Sequence, residues 1–146
     1  MKSKFALIVV LAALLTSPLF GVFGHAVDAA PECCGKKSTS FAVMVSDALH
    51  LRAAIATAEE MQVAQNHYAF EIVIVGELVK PLAEDRSLVE DVDKAEKLGV
   101  KLVVCENAVT YFKVPREKLD KRLKFTKNGW IYMFELKDKG FNTLAT

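Results

Sequence analysis

Short apolar runs alternate with helical patterns along most of the chain. Residues 41–45, 70–75 and 100–104 are almost wholly apolar, which predicts β-strands buried on both faces. After Asp47, which can cap a helix, apolar residues recur at helical spacing and charged residues take the other side. Strands separated by helices predict an α/β sheet with right-handed crossovers and helices on both faces.

The pattern after the second strand predicts two further helices. Residues 77–84 are expected to be helical but broken at Pro81. Ser87 and Glu90 have the spacing of a capping box, in which each side chain accepts a free N–H at a helix start. Gly99 follows the apolar stripe of that helix, where a left-handed residue commonly ends one.

The last third of the chain is less regular. Asn107 follows the third strand and can cap a short helix, and Pro115 opens another helical piece over residues 115–122. Residues 130–134 have the composition of a strand, yet Gly140 follows them as a helix terminator would. Periodicity alone does not decide between strand and helix for this segment.

The first 29 residues have the pattern of an export signal. Lys2 and Lys4 precede an uncharged apolar stretch over residues 5–16, and small or tolerated residues then lead to a cleavage point after Ala29. An uncleaved membrane anchor is the alternative, because the uncharged stretch is nearly long enough to cross a bilayer. Proline and glycine residues within it favour cleavage. We therefore expect a signal peptide over residues 1–29 and a periplasmic or otherwise exported product.

Charge and composition limit the classes of function and the domain organisation expected for the processed protein. The chain has 19 Lys and Arg against 18 Asp and Glu, and removal of residues 1–29 leaves 17 of each. This balance argues against a nucleic-acid binder, which normally needs a cationic excess. Residues 30–40 are small, polar and cysteine-bearing and predict a flexible arm. Residues 41–146 predict one folded domain without another membrane segment.

Three features recur together between about residue 41 and residue 144: the strand–helix–strand opening with a helix after it, the strand end Cys105-Glu106-Asn107, and the tail from Gly129 to Gly140-Phe141. In these features the chain resembles the DsrE/DsrF-like sulfur-relay family, whose fold is also called YchN-like. The second feature matches the family's strand that ends in Cys-x-Asn. The resemblance implies a three-layer α/β/α fold with a mainly parallel sheet of about five strands. Its tail favours a helix over residues 129–139.

The resemblance also implies a function. Some family members hold sulfur as a persulfide on the cysteine that corresponds to Cys105, and members commonly form trimers or hexamers. We therefore expect an exported carrier or sulfurtransferase-like protein, without a cofactor, that accepts sulfane sulfur on Cys105 and passes it on. Its partners would be sulfur donor and acceptor proteins or small sulfur compounds. Asn107 and Gly129 carry over as binding residues. The export signal departs from the family, whose known partners are cytoplasmic.

The residues themselves also single out Cys105. It ends the third strand, at the sheet edge where ligands collect in open α/β sheets, and free N–H groups of a following helix favour a thiolate. The alternative is a small buried hydrophobe. His50 lies beyond the first strand at the same edge and either stabilises an anionic sulfur species or is a surface histidine. The basic run from Lys113 to Lys127 is either a solvated face or an attractant for thiosulfate, sulfite or an acidic partner.

Cys33 and Cys34 fall in the predicted arm. Exported thiols tend to pair, so either residue can act as a resolving thiol for Cys105 or pair with another subunit; both can also be incidental. Their spacing does not indicate a metal site. Two other classes of function therefore stay open, a thiol–disulfide redox protein and a non-catalytic oligomeric binding module of the cell envelope.

The tail segment also predicts a homo-oligomer. As a helix it would be apolar over more than one face, so that one face can cover the sheet and the other needs a partner. The residues concerned are Trp130, Ile131, Met133, Phe134 and Leu136.

Overall fold

The computed structural model describes residues 40–64 and 68–146, in which strands and helices alternate. The predicted signal peptide and most of the predicted arm, with Cys33 and Cys34, lie outside these residues. The elements are β1 (Ser40–Val45), α1 (Ala48–Ala64), β2 (Ala69–Ile74), a 3₁₀ turn (Gly76–Leu78), α2 (Val79–Glu84), α3 (Ser87–Lys97), β3 (Lys101–Cys105), α4 (Glu106–Tyr111), a second 3₁₀ turn (Arg116–Lys118), β4 (Lys124–Thr126), α5 (Gly129–Asp138) and β5 (Asn142–Ala145).

The described strands form one parallel sheet in the order β4-β3-β2-β1-β5. The chain moves from β1 to β4 across neighbouring positions, and α5 then carries it back to place β5 beside β1. Buried residues of α1 to α4 belong to one core cluster, and those of α5 belong to a second. The prediction of an α/β protein with a parallel sheet of about five strands in three layers is confirmed.

Alternate residues of β1 and β2 supply the two clusters, because successive side chains of a strand point to opposite faces. Val45, Ile72 and Val104 are fully buried against the layer of α1 to α4. On the opposite face, Ala42, Met44 and Val73 pack with two residues of α5, Met133 and Leu136. The predicted strands therefore form a sheet that is covered on both sides, as their almost wholly apolar runs indicated.

The start of α3 differs from the prediction. Ser87 is the first helical residue and not the cap, so the predicted capping box with Glu90 is wrong. The N–H of Ser87 donates to Asp85 Oδ1 at 2.8 Å, and the Ser87 hydroxyl accepts from Arg52 Nη2 at 3.1 Å. Pro81 lies in the first turn of α2, where a missing N–H removes no helical hydrogen bond, so it does not break that helix.

The segment between α4 and α5 also differs. Residues 115–122 were expected to be helical, but only a 3₁₀ turn forms there. The edge strand β4 follows it and was not predicted, because three residues are too few for an alternating pattern to emerge. The tail does form the predicted helix, and Gly140 follows it with a φ of +88°, a conformation that glycine adopts without strain.

Within the described residues, no helix is long and apolar enough to cross a bilayer.

Candidate functional site

A crevice lies where the connections of the sheet change sides. After β3 the chain enters α4, whose buried residues belong to the first cluster, and after β4 it enters α5, on the opposite face. These two strands stay paired up to their last residues, and the connections that leave them run to opposite faces of the sheet. In open α/β sheets, ligands bind at such a point. The last residue of β3 is Cys105.

Cys105 is buried, with 5% of its surface exposed, and its sulfur contacts the loop that follows β4. The Gly129 N–H donates to Sγ at 3.3 Å. A protonated Sγ can itself donate to the Lys127 carbonyl oxygen, which lies 3.9 Å away. A thiol can use both contacts, whereas a thiolate uses only the N–H. Since Gly129 begins α5, the sulfur lies at the N-terminus of α5 as well as at the start of α4.

Gly129 lets α5 begin this close to the sheet. A Cβ at this position would lie 2.6 Å from Val75 Cγ1 and 3.4 Å from Cys105 Cβ, and the first distance is shorter than real carbon contacts. Asn128 caps the same helix, because its Oδ1 accepts from Trp130 N at 3.0 Å and Ile131 N at 3.5 Å. The N–H of Gly129 thus points to the sulfur and not to the cap.

Asn107 lies beside this contact but does not act as the predicted cap. It is the second residue of α4, and the cap position is occupied by Cys105. The backbone N–H of Asn107 donates to the Lys127 carbonyl oxygen at 3.2 Å, and this bond ties α4 to the loop after β4. The Asn107 side chain is exposed and lines the pocket next to the sulfur.

The pocket next to the sulfur, here called the Cys105 pocket, has a volume of about 370 Å³. This is within the size range of small-molecule sites, roughly 300–1,000 Å³. Tyr111 and Trp130 line it and are 79% and 58% exposed, so they stand at its open side. Apart from the amides of Asn107 and Asn128, its walls are apolar or aromatic, and the described lining includes no Lys, Arg or His.

His50 does not line this pocket. Its backbone N–H donates to Asp47 Oδ1 at 2.9 Å, and its ring Nδ1 lies 2.5 Å from Asp47 Oδ2. Asp47 is thus the predicted cap of α1. The hydrogen bond from the His50 N–H, followed by that from the ring, lowers the pKa of the Asp47 carboxyl. These contacts keep the ring of His50 at the start of α1.

Two arginines of the basic run are engaged by acidic side chains. Arg116 Nη1 lies 2.6 Å from Glu106 Oε1. Arg122 contacts Asp120 at 2.6 Å and both Asp93 and Glu96 at 2.7 Å. The hydrogen bond from Arg122 lowers the pKa of Asp120, and the acidic partners raise the pKa of the guanidinium. The run is therefore partly neutralised, in keeping with a solvated face.

The described part of the chain offers few residues for a metal site or a disulfide bond. Across residues 40–64 and 68–146, no three His, Cys, Asp or Glu side chains are grouped to hold a metal ion. Cys105 is a free thiol there. The predicted resolving thiols, Cys33 and Cys34, fall outside the described residues, so their role stays a prediction.

Comparisons with known proteins bear on the fold. No protein-family model and no curated protein matches the chain. The structure of MTH1491 from Methanobacterium thermoautotrophicum matches with a TM-score of 0.63 and 16% identity, over 73% of this chain and 96% of that one. That of BT1422 from Bacteroides thetaiotaomicron matches with a TM-score of 0.58 and 13% identity, over 74% and 95%. Both are described as proteins of unknown function, so the likeness shows a shared fold and leaves function to the residues.

Several parts of the site were not predicted from the sequence. These are the carbonyl of Lys127, the capping side chain of Asn128, and the pocket walls formed by Val75, Tyr111 and Trp130. All but one of them lie outside the predicted strands. One signal for the pocket was present in the sequence. Tyr111 and Phe112 stand together at the end of α4, and so short a helix does not need two aromatic side chains for its own packing.

Proposed function

We propose that the chain is an exported sulfur-handling protein that accepts sulfane sulfur on Cys105 and passes it to an acceptor. The observation that carries the proposal is the position of Cys105 Sγ, which receives the Gly129 N–H at 3.3 Å and borders a pocket of about 370 Å³. In this mechanism the thiolate attacks the outer sulfur of a donor, and the sulfur waits as a persulfide until an acceptor thiolate removes it.

The surroundings of the sulfur suit each stage of that cycle. The N–H of Gly129 supports negative charge on Sγ before attack and after sulfur leaves. Burial of Cys105 limits contact with bulk solvent, which protects a reactive sulfur species from competing thiols. The resemblance of Cys105-Glu106-Asn107 to the family's Cys-x-Asn supports the same role. Residues 1–29 would direct the protein out of the cytoplasm. Its sulfur donor and acceptor would then also lie outside the cytoplasm.

Intact mass spectrometry after incubation with a polysulfide donor tests the proposal. The chain has three cysteines, so a Cys33→Ser/Cys34→Ser variant keeps Cys105 as its only thiol. We expect the mass of this variant to increase in steps of one sulfur atom. In Cys105→Ser, we expect no sulfur to be added within residues 41–146. Equal sulfur adducts on Cys105→Ser and on the parent protein would refute a sulfur-carrying role for Cys105.

A second candidate function, an oligomeric binding module, is favoured by the outer face of α5. Trp130, Ile131 and Phe134 are 58%, 55% and 63% exposed, whereas Met133 and Leu136 are buried against the sheet. Exposed apolar patches of this kind commonly mark interfaces. We propose that a second copy of the chain covers this face in a homo-oligomer, which the family resemblance suggests is a trimer or hexamer. The near-zero net charge imposes little repulsion on such association.

Two measurements separate the candidates. Rapid alkylation of Cys105 in the folded protein at neutral pH supports the sulfur carrier, because the reaction needs an accessible thiolate. An unreactive Cys105 supports the binding module. Light scattering during size-exclusion chromatography of the processed form then gives the subunit number, and a monomer at micromolar concentration would contradict the homo-oligomer. Phe134→Ser should weaken association, whereas Lys137→Ser on the same helix serves as the matched control.

A further inference from the structure

The Cys105 pocket has the lining of a site for an uncharged ligand. Among its described walls, the groups with polar side chains are Cys105, Asn107, Asn128 and Tyr111, and none of them carries a fixed positive charge. The one backbone donor directed at the sulfur, the Gly129 N–H, is already in use. Lys80 Nζ lies 4.7 Å from the ring centre of Phe112, a pocket wall, and it is paired with Glu77 at 3.6 Å. An anion entering this pocket would therefore lose hydration without meeting an unpaired cation among its described walls, which is unfavourable in an apolar setting.

No basic residue of the run from Lys113 to Lys127 lines this pocket. Arg116 is engaged by Glu106, and Arg122 by three carboxylates. Lys127 is exposed, and it is its backbone carbonyl that contacts the sulfur and the Asn107 N–H. A doubly charged donor such as thiosulfate would also approach a thiolate, and the repulsion of like charges adds to the cost.

We infer that the Cys105 pocket selects sulfur donors that carry an apolar group and react as a neutral species, with the protonated form R–S–S–H of alkyl or aryl hydropersulfides as the chemical class, over doubly charged inorganic donors such as thiosulfate. This inference rests on the proposed function. The thiolate of Cys105 attacks the terminal sulfur of R–S–S–H, a new S–S bond forms as the donor S–S bond breaks, and R–S⁻ leaves and takes a proton. Cys105 then carries the persulfide, and no outside oxidant or reductant is required. The aromatic walls bury the R group.

The test compares two donors on the Cys33→Ser/Cys34→Ser variant, which leaves Cys105 as the only thiol. Benzyl hydropersulfide and thiosulfate are each added, and the rate of persulfide formation is followed by intact mass spectrometry. Each rate is divided by the rate with a small free thiol, which removes the intrinsic reactivity of the donor. We expect the normalised ratio to favour benzyl hydropersulfide by at least about tenfold, as burial of one apolar group can supply.

Three variants test whether the pocket causes the preference for benzyl hydropersulfide over thiosulfate. Trp130→Ser removes an aromatic wall and should lower the preference several-fold, while Asn107→Lys adds a cation at the lining and should raise the thiosulfate rate. Lys121→Gln is the matched control, since Lys121 is an exposed lysine of the same basic run that does not line the pocket, and it should leave the ratio unchanged. A fall in the thiosulfate rate of Lys121→Gln would instead assign donor attraction to the basic run.

The outcomes distinguish the inference from the function on which it rests. Persulfide formation with thiosulfate at an equal or higher normalised rate overturns the selectivity and leaves the sulfur-carrying role in place. Absence of persulfide with either donor overturns that role. In that case, the rates of Cys105 alkylation by N-benzylmaleimide and by a carboxylate-bearing maleimide of similar size decide the preference of the pocket alone. A faster reaction with the neutral reagent supports the inference, and equal rates refute it.

Discussion

The starts of α1 and α5 show two uses of a helix N-terminus beside the same sheet. At α1, Asp47 accepts the backbone N–H and contacts the ring of His50, so both partners of the cap come from four consecutive residues. At α5, Asn128 takes the N–H groups of the second and third helical residues. The first N–H, that of Gly129, goes to Cys105, a residue 24 positions earlier in the chain.

The two helix starts therefore differ in role. The contacts at the start of α1 stabilise that helix, whereas those at the start of α5 also position an N–H group beside the Cys105 sulfur. The side-chain contacts of the α1 cap join Asp47 and His50, two residues of one segment. The α5 cap leaves one donor for a sulfur that borders a pocket, and a glycine is needed for the approach. Changes at α5 should therefore alter thiol chemistry as well as stability, whereas changes at α1 should alter stability alone.

The largest effect is expected from Gly129→Ala. The new Cβ would meet Val75 Cγ1 at 2.6 Å, so the Val75 side chain or the start of α5 must shift. Overpacking of this kind costs roughly 1–3 kcal/mol of unfolding free energy. The shift also moves the N–H away from Sγ, so we expect slower alkylation of Cys105. Urea denaturation and alkylation rates at neutral pH measure the two effects.

Val75→Ala provides the matched background for that change. It removes the methyl group that the new Cβ would meet, so Gly129→Ala should cost less stability there than in the parent protein. An equal cost in both backgrounds would show that the close approach of α5 to β2 is not the reason for the glycine.

A smaller effect is expected from Asn128→Ala. It removes the acceptor of two backbone N–H groups at the start of α5, a loss worth about 1 kcal/mol for a typical cap. Fraying of this end should also loosen the Gly129 contact and change the alkylation rate of Cys105. Asp47→Ala is the control, because it removes the α1 cap but lies away from the sulfur. Equal alkylation rates for the two variants would remove the distinction between the two helix starts.

The same contrast explains how far the sequence could predict this molecule. Asp47 was predicted as a cap because its partner is three residues away, and the buried strands were predicted because their runs are almost wholly apolar. Cys105 was singled out because it ends such a run. Its contacts come from the loop after β4, an edge strand of three residues without a readable pattern, so the approach of Lys127 and Gly129 could not be derived from spacing.

The smallest expected effect is the pH dependence of the α1 cap. The His50 N–H and ring lower the pKa of Asp47 below its ordinary value of 3.8, which means that folding favours the carboxylate. Its contribution to stability is therefore fully present above about pH 4 and is lost as the pH falls through the lowered pKa of the folded state. Other carboxyls titrate in this range, among them Asp85 and Asp120, whose pKa values are also lowered.

Asp47→Asn isolates the contribution of Asp47 from that background, because asparagine keeps an acceptor for the helix N–H and does not titrate. The urea midpoints of the parent protein and of the variant, measured from pH 6 down to pH 2, should differ most at the upper end and converge as the Asp47 carboxyl is protonated. Cys105 alkylation at neutral pH should be the same in both proteins, since the α1 cap has no contact with the sulfur. A midpoint difference that stays constant over this range would show that folding does not favour the charged form of Asp47. A changed alkylation rate would show that the α1 cap also influences the reactivity of Cys105, and would contradict the distinction between the two helix starts.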